Sequence, residues 1–231
     1  MVFYFKMHWS IHLVCQKRVR KVSQLVALIA DSTIIMASDR RVEVSGEEGK
    51  AVHSLRKLYP LGVNCAVATL GAAVTIDTSR KLAQALARRP AMDFSEVEDY
   101  AMGVFQQDYD AFVKAGASWF GEHSEAPTLS YIMLAGRNRD SSCHLRFYAS
   151  ETHGEPYRAL PVADVLCAPR RVGLETRLKN LLASGGGLDA VRPLLLDNLY
   201  RIASLDEAVE GPFDLAVLGP CGIKMEIAEA I

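Results

Sequence analysis

Two unbroken apolar runs, Leu25-Val26-Ala27-Leu28-Ile29-Ala30 and Thr33-Ile34-Ile35-Met36-Ala37, lie on either side of the polar pair Asp31-Ser32. Aliphatic and β-branched residues around a two-residue polar break predict a tight antiparallel hairpin. Ser23 stands at the head of the first strand and Asp39 at the end of the second. Antiparallel pairing sets those two ends side by side. Further along, the pattern predicts a polar loop over 44–50 and strands over 54–60 and 63–70. A helix is expected over 73–89, with Ile76, Leu82 and Leu86 on one face and Pro90 closing its basic end. The next helix starts at Asp93 or Ser95, where Ser95 and Glu98 have capping-box spacing, and runs to about Lys114. Residues 115–127 read as a loop.

Strands are then expected over 129–135, 144–149 and, briefly, 163–167. Helices over 170–184 and 188–203 are split by Gly185-Gly186-Gly187, and strands over 213–218 and 223–228 finish the chain. Runs of strands alternating with helix pairs predict an α+β domain of stacked sheets and helices.

Composition narrows the class. The chain has 231 residues, half of them hydrophobic, and a formal net charge of −1. That length buries a sizeable core, and the balance of charge gives no sign of nucleic-acid or membrane partners. The five cysteines are scattered, without a C-x-x-C pair. They predict neither a zinc site nor a disulfide framework, and they fit a reducing cytoplasm. His53, His123, His144 and His153 have no ligand spacing, so no metal and no cofactor is expected.

The chemistry points back to the opening hairpin. A serine hydroxyl needs a base, and a free α-amine can serve when the serine is N-terminal. Lys57, in Arg56-Lys57-Leu58-Tyr59, is expected on a third strand beside Ser23 and Asp39. A lysine there favours a neutral amine by like-charge repulsion, and the acid compensates the lysine. A backbone N–H near Gly71, which ends Ala68-Thr69-Leu70-Gly71, is the candidate oxyanion donor.

Ser23, Met36-Ala37-Ser38-Asp39-Arg40-Arg41, Arg56-Lys57-Leu58-Tyr59 and Gly71 occur in the order and spacing of the proteasome β subunits and their bacterial relatives. The chain resembles that family of N-terminal-nucleophile hydrolases most densely over 23–90, and again at Phe213-Asp214-Leu215-Ala216-Val217-Leu218. The resemblance implies a four-layer αββα sandwich spanning 23–231, and a Ser-type endopeptidase acting on peptides or unfolded proteins. It also implies a homo-oligomeric ring or stacked assembly, an ATP-dependent unfoldase partner, and catalytic roles for Ser23, Asp39, Lys57, Gly71 and Asp206. Asp206 would support the amine of the nucleophile.

The chain departs from the family pattern at Val22, where self-processing members carry glycine. It departs again at Val209, in place of a serine, and at Cys167-Ala168-Pro169-Arg170-Arg171, in place of a Ser/Gly-rich loop. A catalytically silent structural subunit and an amidase of the same fold are the alternative readings. Residues 1–22 are expected to be a propeptide, an N-terminal extension or a mis-assigned start.

Overall fold

The computed structural model describes residues 23–46, 49–89, 91–122, 129–150, 154–162 and 164–229. The expected N-terminal segment 1–22 lies outside them. The fold is mixed α+β. The predicted hairpin forms as β1 (Leu25–Ala30) and β2 (Thr33–Ser38), paired from Leu25 opposite Ser38 to Ala30 opposite Thr33. Asp31 takes the left-handed conformation at the turn, with φ 53°. An aspartate tolerates that region in a tight hairpin better than a branched residue does.

The expected polar loop at 44–50 is corrected. Residues on either side of 47–48 pair as β3 (Arg41–Gly46) and β4 (Gly49–Ser54), a two-stranded ribbon with a sheet of its own. The period-two alternation of Arg41-Val42-Glu43-Val44 is the signal that its polar composition masks. The third strand also starts later than expected, as β5 (Leu58–Leu61), followed by β6 (Cys65–Gly71).

Helix α1 (Val74–Leu86) buries Thr75, Thr78, Ser79, Leu82 and Leu86, whereas Ile76 is only half-buried. Its inner face is therefore rotated toward hydroxyl residues. These hydroxyls find partners close by: Thr75 Oγ1 donates to Ala72 O, and Ser79 Oγ donates to Thr75 O. Helix α2 (Phe94–Ala115) has its capping box at Asp93 and Glu96, not at Ser95 and Glu98. Glu98 instead accepts from the Tyr148 hydroxyl. A short helix, α3 (Ala117–Glu122), occupies part of the expected loop.

The remaining elements are β7 (Ser130–Arg137), β8 (Cys143–Ser150), β9 (Arg158–Leu160), β10 (Val165–Ala168), α4 (Val172–Ala183), α5 (Leu188–Leu205), β11 (Phe213–Gly219) and β12 (Gly222–Ala228). Two five-stranded antiparallel sheets result, ordered β10-β1-β2-β11-β12 and β5-β6-β7-β8-β9.

Alternation along β1 explains why its sequence is apolar throughout. Leu25 and Ala27 join a core shared with Leu58, Ala66, Met133 and Phe147 of the second sheet. Val26 and Leu28 join another core with Leu178 of α4 and with Leu195 and Leu199 of α5. A third core sets Val67, Ile132 and Leu134 against Leu82 of α1 and Phe94 and Phe105 of α2. Strands buried on both faces lose the polar half of the usual alternation. Among the described residues no helix is long and apolar enough to cross a membrane.

Candidate active site

The hairpin carries its own register into the site. Beyond the last strand pair, Asp39 N donates to Gln24 O at 3.2 Å, and Gln24 N donates back to the Asp39 side chain at Oδ1, 3.0 Å away. The carboxylate is thereby turned toward the head of β1, where Ser23 sits half-buried.

Lys57 arrives from the other sheet. It precedes β5 rather than lying within it, but Thr69 N donates to Lys57 O at 3.2 Å and extends the β5–β6 pairing by one step. Its side chain runs inward, 3% exposed, beside an Asp39 side chain with no exposed surface. Lys57 Nζ donates to Asp39 Oδ1 at 3.0 Å, to Ser23 Oγ and to the carbonyl of Arg41. Ser23 Oγ also lies 3.2 Å from Arg41 O. Three separate segments thus bring together the serine, acid and lysine expected from the sequence.

Burial sets the electrostatics. Removing the ammonium from water pushes the proton affinity of Lys57 below the usual lysine range, with Asp39 opposing that shift. The same desolvation raises Asp39 above the usual carboxylate range, with Lys57 pulling the other way. Asp39 Oδ2 is buried and has no hydrogen-bond partner among the described residues. A buried lysine whose charged form is disfavoured, in contact with a serine hydroxyl, can serve as a base toward that hydroxyl. The buried thiols are poor rivals, since burial pushes both Cys65 and Cys167 up to about 12.

Gly71 closes β6 at φ +90°, with its main chain exposed. An added Cβ would lie 2.1 Å from the carbonyl oxygen of Leu129, so both conformation and space require glycine.

Asp206 and the Gln24 side chain share one guanidinium, that of Arg171. Asp206 caps the C-terminus of α5, and among the described residues it shares no hydrogen bond with Ser23. Its carboxylate pairs with Arg171 Nη2 and accepts from Ala208 N at 3.1 Å. Val209 is buried in the core that joins the first sheet to α4 and α5.

Three participants were not anticipated: the side chain of Gln24, the carbonyl of Arg41 and the guanidinium of Arg171. The carbonyl has no signal in a side-chain pattern. Arg171 lies in the segment that departs from the family pattern, and that departure was the available signal.

No family model matches the chain, and no curated protein matches it.

Proposed function

We propose that the chain is a proteasome-like hydrolase that cleaves peptide bonds through Ser23, in a four-layer αββα domain that works without a cofactor. The observation that carries this reading is the convergence of Ser23, Asp39 and Lys57, from three segments, on one buried ion pair in contact with one hydroxyl. Support for the layer order comes from three apolar cores: one between the two sheets, one between the first sheet and α4–α5, and one between the second sheet and α1–α2.

In this reading Ser23 Oγ attacks the peptide carbonyl, and Lys57 Nζ accepts the hydroxyl proton. When the chain begins at Ser23, the free α-amine is an alternative base. Asp39 steadies the ammonium that forms. A main-chain N–H at Gly71 takes the oxyanion, the Lys57 ammonium returns its proton to the departing peptide nitrogen as the C–N bond breaks, and water then hydrolyses the acyl-enzyme left on Ser23. The substrate is an extended peptide or unfolded protein, reached in the cytoplasm within a homo-oligomeric assembly that an ATP-dependent unfoldase feeds.

A second reading, the catalytically silent structural subunit, is favoured by the pairing of Asp206 with Arg171, which occupies the acid that the resemblance assigns to the amine of the nucleophile. Hydrolysis of an unfolded protein such as reduced casein separates the two. The hydrolase reading expects cleavage by the wild type and none by Ser23→Ala, with the N-terminal residue fixed in parallel by intact mass. Equal cleavage by both, or none by the wild type, would overturn it.

A further inference from the structure

We infer that Arg171 is a positioning residue for the Ser23 centre: it clamps the buried side chain of Gln24 and so holds the Gln24 N–H against Asp39. The inference rests on the reading of Ser23 as a nucleophile.

Gln24 is a polar residue with no exposed surface, so each of its amide groups needs a partner. Its Nε2 donates to Leu25 O at 3.0 Å and to Pro169 O at 3.1 Å. Its Oε1 accepts from Arg171 Nε at 2.9 Å. The backbone N–H of the same residue donates to the Asp39 oxygen that also receives Lys57. One peptide unit separates this N–H from Ser23. The Gln24 main chain is held from the hairpin by Asp39 N and its side chain from the α5 end by Arg171, so the N–H that meets Asp39 is fixed from both sides.

The other edge of the Arg171 guanidinium is anchored. Nη2 donates to Asp206, whose own N–H donates to Ile202 O at 2.9 Å where α5 ends. One planar fork thus links the end of α5 to the head of β1. A lysine offers a point charge rather than two directed edges and reproduces the link only in part.

The plainer reading is a surface ion pair, and exposure separates the two. Arg171 and Asp206 are each 33% exposed, so the pair by itself adds little to folding stability. The bond to the fully buried Gln24 is the part that water cannot replace. Loss of Arg171 therefore acts mainly on the centre. Without a fixed Gln24 N–H, Asp39 holds a proton more readily, and Lys57 then loses the anion that keeps it charged.

The test is the rate at which diisopropyl fluorophosphate adds to Ser23 of the full chain, followed by intact mass and peptide mapping across pH. Arg171→Met is expected to slow labelling by about 10- to 100-fold. It should also move the acid limb of the pH profile to lower pH. Arg171→Lys recovers part of the rate. Arg170→Met, whose guanidinium pairs with Glu175 instead, keeps the wild-type rate and profile. Should Arg171→Met fail to fold, Asp206→Asn weakens the same link at its anchor and is expected to shift rate and profile in the same direction. Wild-type rate and profile in Arg171→Met, or in Asp206→Asn where that variant stands in, would overturn the inference alone. A wild type that takes no label at Ser23 would overturn the nucleophile reading and this inference with it.

Discussion

Two carboxylates with no exposed surface lie one position apart across neighbouring strands, and their surroundings treat them differently. Asp214, opposite Ser38 on β11, receives Arg40 on both oxygens, with Nε to Oδ2 at 3.0 Å and Nη2 to Oδ1, and Arg56 stands 3.8 Å away. Asp39, next along from Ser38, is paired with a lysine and keeps one oxygen without a partner among the described residues. A guanidinium stays charged at any accessible pH and fits a carboxylate edge to edge, so both Asp214 oxygens are held by one fixed cation. An ammonium in a dry site holds its proton less firmly. One pair is built as a fixture, whereas the other can titrate against a hydroxyl. The kind of cation, a lysine in contact with a hydroxyl rather than an arginine bound on both oxygens, is what sets the candidate site apart from an ordinary buried ion pair.

The strongest way to break this contrast is Lys57→Met. It removes the base, and Ser23 labelling or peptide hydrolysis is expected to fall by about 10²- to 10⁴-fold. It also strands Asp39, so chemical denaturation should show a loss of about 3 kcal/mol. Retained activity would demote Lys57 to the class of Arg40.

Next in size is the pH response. Burial lowers Lys57, so the neutral amine becomes available below the usual lysine range, and the rate should rise about tenfold per pH unit until that value is reached. For stability the sign follows from proton counting. The folded chain binds fewer protons at Lys57 than the unfolded chain does between the two lysine values. The contribution of Lys57 is therefore present above the unfolded value and is lost as pH falls through the folded one. A flat rate profile through neutral and alkaline pH would remove Lys57 as the base.

Arg40→Met tests the fixture. A loss of about 3 kcal/mol in denaturant unfolding is expected, because Asp214 is left buried with only the more distant Arg56. The labelling rate per folded molecule should hold. A large drop in rate at full stability would mean that the two pairs act as one unit.

The smallest expected effect is that of Arg41→Met. Its guanidinium meets Glu210 at 3.0 Å where that glutamate is 62% exposed, so the cost should stay below about 1 kcal/mol. Its carbonyl, which contacts both Lys57 and Ser23, survives the substitution. Any large effect on rate would show that the side chain, not the main chain, organises that corner of the site.

Much of this was legible in the chain. The apolar runs around Asp31-Ser32 determined the hairpin, and the hairpin determined that Ser23 and Asp39 end at the same edge of a sheet. The four long helices and most of the strands likewise followed from periodicity and glycine punctuation, whereas the short helix at Ala117–Glu122 and the strand at Arg158–Leu160 did not. The errors share a cause. Where a polar stretch pairs mainly through its backbone, as in the β3–β4 ribbon, composition misleads. Where two capping boxes compete, the choice between Glu96 and Glu98 depends on whether Tyr148 already occupies one of them.

Only the tertiary structure decided how the site is wired. Local sequence determines strands and turns because backbone geometry and side-chain period act over a few residues. It carries no information on which partner fills the last lone pair of a buried group. That Gln24 meets Arg171, that Asp206 pairs with the same guanidinium, and that the Arg41 carbonyl faces Lys57 depend on the approach of segments far apart in the chain. Those contacts are set by packing and by the cost of leaving a buried polar atom unpaired.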